Sequence, residues 1–207
     1  AIVVLNFLCV NTGFTWLLGG LTPALLLFLG CSPHLASRER SIYGAGVVAS
    51  IATLALFFYG FLPQSATDCF QFPHARPWEY LPFSGFVLGR PFGLAAGDSG
   101  RQLLVGTLFV TGVSAFVAYG VFRLVRTRDR SPLWLAATSL AAFTLLFASS
   151  SAVGRICLGF PSASATRYIP YVLPGFLAMY LVIRSVSARS YIATALLPVF
   201  LVACIAK

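Results

Sequence analysis

Long charge-free apolar runs alternate along this chain with short segments that carry arginines. The runs predict helices, because each is close to the ~20 residues that an α-helix needs to cross a bilayer. Hydrocarbon also offers no partner for an unpaired backbone group. The pattern places spans at residues 12–30, 42–61, 103–122, 132–153, 168–183 and 191–206, about six in all. Residues 1–36 bear no formal charge, too long for one straight span and too short for two with a turn, so 1–10 are expected as an incoming interfacial or partial helix. The predicted fold class is all-α: a polytopic transmembrane helical bundle forming a single domain over residues 1–207. Ala1 stands where an initiator Met would, and Lys207 follows directly on an apolar run, so the chain reads as a segment of a longer polypeptide.

Composition agrees with the pattern. Apolar residues make up 58% of the chain and charged ones 9%, against roughly a quarter charged in an ordinary soluble domain. The net charge of +9 could suggest a nucleic-acid partner, but the arginines are clustered between apolar runs and form no continuous basic face. No nucleic acid is expected. Threading the spans puts loops 31–41, 123–131 and 184–190 on one side, with Arg38, Arg40, Arg123, Arg126, Arg128, Arg130, Arg184 and Arg189. Loops 62–102 and 154–167 lie on the other, with Arg76, Arg90, Arg101, Arg155 and Arg167 spread more thinly and partly offset by Asp68, Glu79 and Asp98. The bias assigns the first set to the cytoplasm. The expected location is the cell membrane, as a multi-pass protein of a bacterial inner membrane.

Within the spans, small residues recur at four-residue spacing: Ala45, Ala49 and Thr53; Thr107, Thr111 and Ala115; Ala137 and Ala141; Ala148 and Ala152. Such rows let helix backbones approach one another, which is how helices gain packing energy in lipid. The glycines of GAGVVA, residues 44–49, match the spacing of a dinucleotide-binding turn, but no strand precedes them and close packing is the better reading. The two histidines, His34 and His74, fall in loops on opposite sides, so no buried pair is available to hold haem. No cofactor and no metal site is expected. Asp, Glu and Lys are missing from the middle of every span, which disfavours a self-contained ion pump.

The chemistry is therefore expected on the outer side. The long loop 62–102 contains DCFQFPHARPWEYLPFSGFVLGRPFG, an aromatic mixture suited to the headgroup region. Residues 78–88 are predicted to form a short interfacial or re-entrant helix with Pro77 at its first position. The loop reads either as a cap over the bundle or as a substrate-facing segment. Arg155 and Arg167 flank the second outer loop, where they could grip a phosphate bidentately or snorkel to lipid headgroups. Arg90 is a third candidate for an anion. Asp68, Glu79 and Asp98 are the outer carboxylates from which a base would be drawn. Of the five cysteines, Cys69 and Cys157 both fall in outer loops, where an oxidising compartment would permit a disulfide; two separate buried thiols are the alternative.

The stretch GRICLGFPSASATRY, residues 154–168, resembles a recurrent loop of large polytopic bacterial inner-membrane proteins. Gly154, Arg155, Gly159, Ala163, Thr166, Arg167 and Tyr168 carry the likeness. Those proteins resemble membrane glycosyltransferases of the GT-C type, which use polyprenyl-phosphate sugars. The resemblance implies that Arg155 and Arg167 contact a lipid-linked phosphate. It carries over no catalytic residue, since GT-C enzymes usually hold their catalytic acid in a first outer loop near the N-terminus of a longer chain, a region expected upstream of Ala1. The leading expectation is a GT-C-like transferase segment acting on a lipid-linked sugar at the outer face. A non-catalytic subunit of a larger membrane assembly is the alternative, and a transporter segment the second. Expected partners are membrane lipids, a polyprenyl-phosphate carrier and other membrane subunits.

Overall fold

The computed structural model describes residues 19–31, 36–60, 72–92, 99–127 and 131–186. Their regular structure is entirely helical, and the chain divides after Asp68 into two units. The first unit holds α1 (Leu21–Gly30) and α2 (Ser37–Gly60). These pair antiparallel, since a Cβ on Gly30 would lie 3.1 Å from Tyr43 and one on Gly46 3.1 Å from Leu26. The glycines of GAGVVA are thus helical, and Gly46 is a packing position. Helix α2 starts earlier than its apolar run. The Glu39 carboxylate accepts from the Ala36 N–H at 3.2 Å, so an otherwise orphaned donor is satisfied and Arg38 and Arg40 enter the first turn instead of a loop.

The second unit begins with a 3₁₀ turn, Pro77–Glu79, leading into α3 (Tyr80–Gly89). Pro77 starts it as expected, since proline lacks only an N–H that a helix start leaves unused. After the turn Arg90–Phe92 come α4 (Ser99–Phe122), extended by a wide π-type turn Arg123–Thr127, and α5 (Pro132–Arg155). Ser131 caps α5, its Oγ accepting from the Trp134 N–H at 3.3 Å. Three short 3₁₀ turns, Ile156–Leu158, Phe160–Ser164 and Thr166–Tyr168, lead into α6 (Ile169–Val186).

Among the described residues, four stretches are long and apolar enough to cross a membrane: Ser37–Tyr59, Gly100–Arg126, Pro132–Leu158 and Thr166–Arg184. They match the expected spans at 42–61, 103–122, 132–153 and 168–183. Of the expected span 12–30, residues 12–18 lie outside the described residues and the 10-residue α1 covers 21–30. The span at 191–206 lies outside them altogether. Hydroxyls are accommodated inside these apolar helices by bonding back one turn: Thr53 to the Ala49 carbonyl, Thr111 to Thr107 and Ser139 to Leu135.

Close backbone approach in the second unit comes from glycines more than from the expected small-residue rows. Thr111 and Ala115 on α4 are exposed. The contact with α3 is instead made by Gly106, where a Cβ would meet the Gly85 carbonyl and lie 3.0 Å from the Gly89 nitrogen. Gly120 lies in the same way against Thr138 of α5. The alanine rows of α5 do pack as expected: Ala137, Ala141, Ala148 and Ala152 are buried. On the α6 side Gly175 fits against Thr144, and Phe147 stacks on Tyr171 with centroids 4.6 Å apart. At the end of α4, Arg123 lies over the Trp134 ring at 4.4 Å, and Phe116 and Tyr119 border the same indole.

Candidate functional site

Two polar regions stand out in the second unit, one at each end of α3. At the C-terminal end, the first residues of α4 meet the loop after α5. Gln102 is 2% exposed, and its amide donates to the Phe86 carbonyl at 3.1 Å and to Ser164 Oγ at 3.3 Å. One side chain therefore ties α3, α4 and the 154–168 loop together. Sequence gave little sign of it: next to Arg101, a glutamine resembles loop, and only packing against Phe86 buries it.

The geometry of the 154–168 loop explains much of its pattern by folding alone. Gly159 has φ +80, a left-handed conformation in which a side chain is strained, and its carbonyl accepts from both the N–H and the Oγ of Ser162. Ala163 is fully buried, and Tyr168 is buried edge-on to Phe147 at 5.8 Å. Phe160 packs against Phe83 and Phe86 of α3. The two arginines of the pattern differ in their surroundings. Arg155 is half-buried in the last turn of α5, and Arg167 is exposed with its guanidinium 5.4 Å from the Tyr168 ring. Arg90 follows α3 directly and is half-buried; its Nε is buried with no hydrogen-bond partner.

At the N-terminal end of α3, Glu79 pairs with Arg76 at 3.0 Å and faces His74 at 3.8 Å. The Tyr80 hydroxyl accepts from the His74 N–H at 2.8 Å, closing a compact group of four polar side chains and backbone. Of the three expected carboxylates, Glu79 alone falls within the described residues. Asp68 and Asp98 lie outside them. Glu79 does not converge on the arginines: eleven residues of helix separate it from Arg90, about 16 Å at 1.5 Å per residue. Among the described residues no three His, Cys, Asp or Glu side chains gather as metal ligands.

Cys157 is disulfide-bonded, and Cys31 is a free, exposed thiol. The expected partner of Cys157, Cys69, lies outside the described residues, as do Cys9 and Cys204.

The class these features define is an all-α protein with helices able to span a membrane and a polar group at either end of a short helix between them. Comparison with family models, with curated proteins and with solved structures finds no match.

Proposed function

We propose that this chain is a multi-pass segment of a bacterial inner-membrane protein that holds the phosphate of a lipid-linked substrate at the Arg90 end of the α3–α6 bundle. A polyprenyl-phosphate sugar, as a GT-C-like transferase would use, is the substrate of this reading. The observation that carries it is the Arg90 Nε, buried without an acceptor. A buried donor left unmade costs ~1–3 kcal/mol, and a phosphate oxygen would convert that cost into a charge-assisted bond. Arg155 and Arg167 belong to the loop that Gln102 joins to the same end, so they add positive charge where an anionic headgroup would sit. The distance of Glu79 from Arg90 supports phosphate binding here in preference to a base acting at the same centre.

The test is retention of a polyprenyl phosphate by purified protein in detergent, measured by native mass spectrometry. Arg90→Gln is expected to weaken retention ~10-fold or more, as loss of a charge-assisted pair would. Arg90→Lys keeps the charge and loses the fork, and is expected to fall between the two. Equal retention in all three proteins would leave a structural subunit as the reading.

The arginine bias gives the orientation of this reading, with Arg123, Arg126 and Arg184 cytoplasmic. In intact cells a cysteine placed at Gly100 is expected to react with an impermeant maleimide. One placed at Arg126 is expected to react only after permeabilisation, and labelling of both from outside would reverse the topology.

A further inference from the structure

The N-terminal end of α3 lies much deeper in the bundle than a loop between two spans would. Helix α3 runs antiparallel to α4: Gly89 faces Gln102, and four residues earlier Gly85 faces Gly106 and Thr107. Continuing in that register, Tyr80 shares a cleft of about 390 Å³ with Val110 and Ser114 of α4 and Leu145 of α5. Val110 is eleven residues beyond Ser99, about 16 Å along α4, and α4 has 24 residues. Its level is the middle of a helix long enough to cross the membrane. Leu145 likewise lies near the middle of α5, Pro132–Arg155. The turn Pro77–Glu79, which precedes Tyr80, is therefore level with the centre of the bundle or beyond it.

Two properties of this segment conflict with a lipid environment at that depth. Its backbone from 72 to 76 is irregular, and the turn that follows is 3₁₀. Backbone of that kind at membrane depth persists only where protein buries it or water reaches it. The described residues cover it only in part: the His74 and Glu79 side chains are largely buried, but Phe72 is 66% and Trp78 68% exposed, and the Arg76 side chain is 64% exposed. The second property is charge, since Arg76 and Glu79 form an ion pair at 3.0 Å with His74 beside it. Ionisable groups inside a membrane face the bundle interior or a water-filled cavity. Snorkelling moves a charge by one side-chain length, short of the ~16 Å to the end of α4, and the carboxylate is held by its partners.

We infer that residues 72–79 line a water-filled vestibule reaching from the membrane surface to the middle of the second unit, with the His74–Arg76–Glu79 group on its wall. Its ligands are water and small hydroxyl-bearing solutes. Glu79 and the His74 ring supply acceptors and the guanidinium of Arg76 supplies donors, while exposed Trp78 and Phe72 offer flat apolar faces beside them. The sequence shows no acidic residue in the middle of a span because the charge enters by a re-entrant arm. This inference does not depend on phosphate binding at Arg90.

Single cysteines at Phe72 and Trp78 in full-length protein, reconstituted in sealed vesicles, test it with a charged, impermeant thiosulfonate and site-resolved mass spectrometry. Size exclusion selects variants that remain folded. Leu108→Cys is the control, an exposed position of α4 at a similar level. At least one of Phe72→Cys and Trp78→Cys is expected to react within ~10-fold of Gly100→Cys, and Leu108→Cys ~100-fold more slowly, as water and lipid would dictate. Reaction at Phe72 and Trp78 as slow as at Leu108 would overturn the vestibule. Rapid reaction at Leu108 would overturn the depth assignment on which it rests.

Discussion

Gly106→Ala is expected to destabilise the protein by about 3 kcal/mol or more, the upper part of the range for overpacking in a close-packed interior. A Cβ there would fall 2.6 Å from the Gly85 carbonyl carbon and 3.0 Å from the Gly89 nitrogen. These are backbone atoms of α3, which cannot swing aside as a side chain can. Helix α3 must move away from α4 as a body, and the bond from Gln102 to the Phe86 carbonyl would break with it. Gly112 lies on the same helix with nothing within 4 Å of its Cβ position. Gly112→Ala is expected to be neutral or stabilising, by up to about 1 kcal/mol from helix propensity. Thermal unfolding in one detergent measures both. A Gly106→Ala midpoint equal to that of Gly112→Ala would mean that α3 is not seated on α4.

Cys69→Ser is expected to release Cys157 as a free thiol and to lower stability by about 4 kcal/mol. The chain-entropy estimate for closing a loop of roughly 90 residues gives this magnitude, less any native strain. Cys157 is disulfide-bonded and Cys31 is free, so the partner is Cys9, Cys69 or Cys204. Cys9 and Cys204 occur in apolar runs, whereas Cys69 belongs to the loop that the arginine bias assigns, with Cys157, to the oxidising side. Alkylation without reductant, followed by peptide mass spectrometry, gives the answer directly. Cys157 is expected to be modified in Cys69→Ser and to stay protected in Cys9→Ser and Cys204→Ser. Modification in either of the latter instead would reassign the bond. If the pairing holds, it tethers the arm that carries His74, Arg76 and Glu79 to the loop that carries Arg155 and Arg167.

The helices at 42–61, 103–122, 132–153 and 168–183 were legible in the sequence because the constraint behind them is local. A run of about 20 apolar residues in hydrocarbon has helix as its route to satisfying its own backbone. The Pro77 start of the turn that leads into α3 was local for the same reason, since it concerns donors within one turn. The alanine rows of α5 followed from small-residue spacing, but on α4 Thr107 meets α3 while Thr111 and Ala115 of its row are exposed. Which face of a helix meets a neighbour depends on the neighbour, and there Gly106 and Gly120 were used.

The candidate site divides along the same line. Residue types marked Arg90, Arg155, Arg167 and Glu79 as chemistry-bearing, and loop membership placed them together on one side. Helix α3 itself carries Glu79 about 16 Å from Arg90, and tertiary structure seats that helix antiparallel to α4. It likewise buried Gln102 and brought Tyr80, which follows Glu79, into one cleft with Val110. Hydropathy along a chain reports whether a segment can leave water, a property of its own side chains. Depth and convergence arise from the register between helices, set here by glycine contacts between residues such as Gly85 and Gly106.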